Sequence, residues 1–340
     1  MTGGPVTVAG VTVEPGERRD IAPTISESYL GDRTTLPMAV LNGVEDGPRA
    51  FVTAAVHGDE LNGIATCRQL LDVLDPSQLA GVVVIVPIVN VPGVQIGSRY
   101  LPDRRDLNRS FPGSHTGSMA ARIARIVCDE VIDDSDVGID LHTAANTRTN
   151  TPQVRIVEDD ADAGALAVVF GAPFVLPSRL REGSLRAIAH DRGVPVLTFE
   201  GGAPRRFDDD AIDVARRGAL QVFAHLGMID DAPPPASSEP MLLNESRWLR
   251  AERGGILELL CSAGELVRAG DPLWSTVSPL GEERASVTAD EDAYVVGATT
   301  LPLVQPGQAI LHVALPGDRL VVEDDPSDEE DDDLEDVVDD

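Results

Sequence analysis

His57 and Glu60 stand three residues apart in VHGDELNG, residues 56–63, directly after the apolar run Phe51–Val56. An imidazole and a carboxylate about one helical turn apart can share one metal ion. An HxxE pair is weak evidence alone, but His142 ends a second apolar run, Val137–Leu141, within DLHTAA. Open α/β sheets gather their ligands at the carboxyl ends of strands. Two histidines and a glutamate make the three-ligand protein set of a catalytic zinc, with a fourth position for water. Asp140 precedes His142 by two residues, hence on the same side of a strand, where it can orient an imidazole or serve as a satisfied structural aspartate.

A third apolar run ends in Glu200, within VLTFEGGA, residues 196–203. A carboxylate ending a buried strand is costly unless it is paired or functional. Facing the metal, Glu200 would take a proton from the attacking water and return it to the leaving amine; the alternative is a helix-capping or salt-bridged glutamate. The stretch SRYLPDRRDLNRSFPG, residues 98–113, places Arg99, Arg104, Arg105 and Arg109 in an otherwise strongly acidic chain. Arginine's planar fork binds carboxylates in bidentate fashion, so Asn108 and Arg109 are candidates to hold a substrate carboxylate. Arg99 or Arg104 would polarise the scissile carbonyl. Neutralisation of surrounding carboxylates is the alternative for all four arginines. Downstream, TAANTRTNTPQVR, residues 143–155, offers Arg148, Asn150 and Arg155 for substrate selection.

HGDE, DLNRSFPG, DLHTAA and TFEGG together resemble the succinylglutamate desuccinylase and aspartoacylase family, a deacylase branch of the zinc carboxypeptidase clan, in that family's order and over roughly residues 35–225. The resemblance implies one Zn2+ per chain on His57, Glu60 and His142, with Glu200 as general base. It implies Asn108 and Arg109 on the substrate carboxylate and favours Arg99 over Arg104 on the carbonyl, leaving Arg104 and Arg148 as further substrate-binding candidates. The activity it implies is zinc-dependent hydrolysis of the amide of a small N-acyl amino acid or related carboxylate. A metallocarboxypeptidase acting on a peptide C-terminus and a non-catalytic zinc- and ligand-binding homologue are the alternatives.

These residues need a scaffold. Strands are expected over Met38–Leu41, Phe51–Val56, Val82–Ile88, Val137–Leu141, Val154–Val157 and Val194–Glu200. Helices are expected over Leu61–Leu74, Ser118–Val131, Ala161–Phe170, Gly183–Arg192 and Asp208–Leu226, where apolar residues recur every three or four positions. Several strands are apolar throughout, as in a sheet covered on both faces. The expected fold is α/β: a zinc-carboxypeptidase-like α/β/α sandwich with a mixed sheet, followed by a small all-β, barrel-like domain. The boundaries are an N-terminal β segment at 1–34, a catalytic domain at 35–228, a proline-rich linker at 229–240, the β-domain at 241–316 and an acidic tail at 317–340. The β-domain is similar to biotinyl and lipoyl carrier barrels, yet the chain contains no lysine to carry such a cofactor.

The formal net charge is −30, and all 27 basic residues are arginine. That composition resembles adaptation to high salt. It disfavours nucleic acid and anionic membranes as partners, leaving a small carboxylate-bearing substrate, with a homo-oligomer open. Three scattered cysteines fit free thiols in a reducing cytoplasm. The longest apolar run, Val82–Val91, is interrupted by Pro87 and Asn90 and falls short of the ~20 residues of a membrane helix.

Overall fold

The computed structural model describes residues 3–158, 160–234 and 239–317; the acidic tail, apart from Gly317, lies outside them. The N-terminal strands are β1 (Val6–Val8), β2 (Val11–Val13), β3 (Glu17–Ile21), β4 (Thr24–Glu27) and β5 (Arg33–Thr35). The α/β part comprises β6 (Met38–Asn42), β7 (Glu45–Ala54), α1 (Asn62–Val73), β8 (Ala80–Val86), α2 (Val91–Ile96), α3 (Met119–Val127), β9 (Val137–His142), β10 (Arg148–Ile156), α4 (Ala161–Phe170), β11 (Phe174–Pro177), α5 (Leu185–Asp191), β12 (Val196–Gly202) and α6 (Asp209–His225). The C-terminal strands are β13 (Met241–Arg250), β14 (Gly255–Leu259), β15 (Leu266–Val267), β16 (Pro272–Val277), β17 (Glu283–Thr288), β18 (Ala293–Thr299), β19 (Leu303–Val304) and β20 (Ala309–Pro316).

Twelve strands form one mixed sheet in the order β15-β18-β20-β13-β11-β10-β12-β9-β7-β8-β6-β3. Its central strands β7, β9 and β12 run parallel, and all six residues of β9 are buried. One face packs Leu70 of α1, Phe170 of α4 and Phe223 of α6 against the sheet. The other packs Ile123 of α3, Leu185 of α5 and N-terminal residues such as Val13. The expected α/β/α sandwich with a mixed sheet is therefore present. Ser118 and Ser184 start α3 and α5 by accepting backbone N–H bonds from Ala121 at 3.2 Å and Ala187 at 3.1 Å.

The strand-rich C-terminal part is woven into the main sheet. β13 pairs in parallel with β11 (Phe174↔Met241), and β18 pairs with β10 (Asn150↔Gly297). Because β10 also pairs with β11, the strands β10-β11-β13-β20-β18 close into a ring, with Phe174, Leu176, Leu243, Val296 and Ala314 in one buried cluster. β14, β16, β17 and β19 form a separate four-stranded sheet. The sequence reading missed β11, a short FVLP strand, and placed the start of β10 six residues late, because polar residues 148–153 carry no apolar run. No helix among the described residues is long and apolar enough to cross a membrane.

Candidate metal centre and active site

The chain leaves β7 at Ala55, whose φ of 51° turns it out of the sheet. His57, Glu60 and the end of β9 then converge below the sheet's carboxyl edge. Gly58 has a different role from the sharp turn its place suggests: a Cβ there would lie 2.1 Å from the backbone carbon of Gly93 and 2.4 Å from the carbonyl oxygen of Ser98. Gly58→Ala must push apart the ligand loop and α2. We expect a loss of about 1–3 kcal/mol, as for other overpacked sites, read from the denaturation midpoint, together with weaker metal binding.

His57, Glu60 and His142 each offer a ligand atom within 4.8 Å of the others, and all three are buried. His57 Nδ1 lies 2.7 Å from Glu60 Oε1, and His142 Nδ1 lies 2.8 Å from Glu60 Oε2. The second nitrogens face other carboxylates: His142 Nε2 is 2.8 Å from Asp140 Oδ2, and His57 Nε2 is 3.4 Å from Asp106 Oδ1. Asp140 is itself held by the Thr53 hydroxyl, which donates to it at 2.7 Å. Two imidazoles backed by carboxylates and converging on a buried third carboxylate fit a zinc-type ligand set.

Burial opposes ionisation of Glu60, but the two histidines overcome it and hold its carboxyl well below the usual range. Burial and Arg99 oppose protonation of His57, yet Glu60 and Asp106 leave its pKa raised. Burial likewise opposes protonation of His142, and Asp140 with Glu60 drives its pKa well above that of an ordinary imidazole.

A cavity of about 640 Å³ opens over this cluster. Glu200 lines it from β12, where it pairs with His142 of β9, and Asn150 Nδ2 donates to Glu200 Oε2 at 3.1 Å. Arg99 reaches in with Nη1 3.2 Å from Glu60 Oε1. Asn108 and Arg109 also line the cavity; Asn108 Oδ1 accepts the Leu185 backbone N–H at 2.9 Å, so its amide N–H groups are the ones open to a substrate. Arg148 lines the far side. Arg104 does not: it is exposed on the loop, at a φ of 63°. Asn150, grouped by sequence with substrate selection, lines the cavity and donates to the carboxylate of Glu200. The sequence reading gave no role to Asp106, which faces His57 Nε2, or to Arg186, Trp248 and His312, which line the cavity.

Residues 46–226 match the model of the succinylglutamate desuccinylase/aspartoacylase catalytic domain. The chain belongs to this family. A curated relative, N-alpha-acetyl-L-2,4-diaminobutyric acid deacetylase of Halomonas elongata, is 31% identical over 69% of this chain and 72% of its own length. A solved succinylglutamate desuccinylase/aspartoacylase from Rhodobacter sphaeroides superposes with a TM-score of 0.78 at 26% identity, covering 88% of this chain and 96% of that one. The ectoine utilization protein EutE (DoeB) of Ruegeria pomeroyi, in its product-bound structure, has the same fold, with a TM-score of 0.77 at 23% identity over 88% and 94% of the two chains. The names of the family model and of the curated relative are those of deacylases, and the matched span 46–226 contains His57, Glu60, His142 and Glu200.

Proposed function

We propose that the protein is a zinc-dependent deacylase that hydrolyses the amide of a small N-acyl amino acid or related carboxylate. The observation that carries this reading is Glu200: it borders the cavity of the His57–Glu60–His142 cluster and is paired strand to strand with His142. Bound by those three residues, zinc supplies Lewis acidity and lowers the pKa of water toward ~7. Asn150 fixes Glu200 Oε2, leaving Oε1 to take the proton of the attacking water and deliver it to the departing nitrogen. Arg99, beside Glu60, donates to the carbonyl oxygen as negative charge develops on it. Asn108 and Arg109 hold the substrate carboxylate and so align the amide.

The test is hydrolysis of N-acetyl and N-succinyl amino acids alongside C-terminal dipeptides, assayed by release of the free amine. The deacylase reading expects turnover of an N-acyl amino acid, its loss on chelation and its return with added zinc. Cleavage of dipeptides alone would replace it with a carboxypeptidase.

A further inference from the structure

One wall of the cavity comes from the C-terminal strands, and register places its residues. Asn150 of β10 pairs with Gly297 of β18, Gly297 with His312 of β20, and His312 with Trp248 of β13. Directly opposed residues on antiparallel strands project to the same face. The row therefore points as Asn150 does, toward the cavity that His312 and Trp248 line. With strands about 4.8 Å apart, His312 lies roughly 10 Å along the row from Asn150. Gly297 keeps the row open, since a Cβ there would come within 2.7 Å of Asn150 Oδ1.

His312 is 4% exposed, yet neither Nδ1 nor Nε2 has a hydrogen-bond partner among the described residues. Its ring stacks on Trp248 with centroids 4.7 Å apart and planes at 12°, and the Arg148 guanidinium carbon lies 4.4 Å from the Trp248 ring centroid. A buried polar group without a partner is costly, and at a cavity wall a bound ligand can remove that cost. Burial, then Arg155 and Arg148, push the pKa of His312 well below that of an ordinary imidazole. The ring is neutral at pH 7, with one donor and one acceptor nitrogen. Arg155 Nε and Arg186 Nη1, in side chains that also line the cavity, are buried without partners among the described residues, and arginine only donates.

We propose that His312 is a specificity-determining residue: it hydrogen-bonds an uncharged polar or anionic substituent of the substrate, remote from the scissile amide, and its surroundings reject an ammonium group. The rejection follows from the same physics that keeps the imidazole neutral, because a cation placed there meets Arg148 and Arg155. This inference rests on the cavity being the substrate pocket of the proposed deacylase.

The experiment compares N-acetylglutamine, N-acetylnorleucine and Nα-acetyl-2,4-diaminobutyrate as substrates of the wild type, His312→Phe and His312→Asn. Phe keeps the stack on Trp248 and removes both ring nitrogens; Asn restores a donor and an acceptor. The wild type is expected to favour the carboxamide over the apolar analogue at least about tenfold in kcat/KM, with the ammonium compound poorest. His312→Phe is expected to reduce the carboxamide preference to within threefold, through KM rather than kcat and with unchanged metal content, and His312→Asn to recover part of it. A wild-type preference for the ammonium substrate, or an unchanged ratio in a folded His312→Phe, overturns the proposal. If the wild type hydrolyses none of the three and no N-succinyl amino acid either, the deacylase reading fails instead. Calorimetric binding of the same compounds then reads the ratio directly, and equal ratios in wild type and variants overturn the role of His312.

Discussion

Glu200→Gln is expected to lower kcat for amide hydrolysis at least about 100-fold, the scale of a positioned proton carrier, while the protein retains its metal. The substitution is nearly isosteric, and the new carboxamide oxygen can still accept the Asn150 amide that now donates to Glu200 Oε2 at 3.1 Å. The side chain's position is preserved, but its second terminal atom becomes a nitrogen that cannot take a proton from water. Loss should therefore fall on kcat, with KM changed only a few-fold. Release of the free amine gives the rates, and atomic emission gives the metal content. Full activity in this variant would move the base elsewhere. Loss of metal together with activity would instead make Glu200 a support for the adjacent His142, with which it is paired across β12 and β9.

The metal cluster and Glu200, read from sequence, share a property: each residue ends an apolar strand or lies within a few residues of one. His57, Glu60, His142 and Glu200 could be found this way because the parallel strands β7, β9 and β12 deliver their ends to one edge of the sheet. The reason for Gly58 could not, because its constraint is the backbone of Gly93, which only the fold brings near. The same holds for the far wall. Trp248 and His312 reach the cavity through the β13–β20–β18–β10 ladder, and no local spacing marks a residue whose partner lies on another strand of a closed ring. Asn150 illustrates the intermediate case: sequence placed it near the substrate, and the β10–β12 bulge between Asn150 and Gln153 decides that it meets Glu200. The C-terminal β-part, legible as strand-rich from its glycine turns, could not be seen to share β10 and β11 with the α/β part, because pairing partners are not encoded in alternation alone.

Glu60→Ala is expected to weaken metal binding at least about 100-fold, beyond the range typical of residues that only support a ligand, and to abolish hydrolysis with it. Glu60 is 1% exposed and joins both histidines, at 2.7 and 2.8 Å. Its removal takes away one ligand and the negative charge that balances a buried cation. The same charge makes binding pH-dependent. The pKa values of His57 and His142 are raised in the metal-free cluster, so both imidazoles hold protons above the ordinary imidazole range, and a metal must displace them. Apparent affinity should therefore rise with pH, and calorimetric titrations in buffers of different ionisation enthalpy should show proton release on metal addition. Glu60→Ala removes a contribution that raises both values, so any residual binding should release fewer protons. Wild-type affinity and proton release in Glu60→Ala would place the metal outside this cluster.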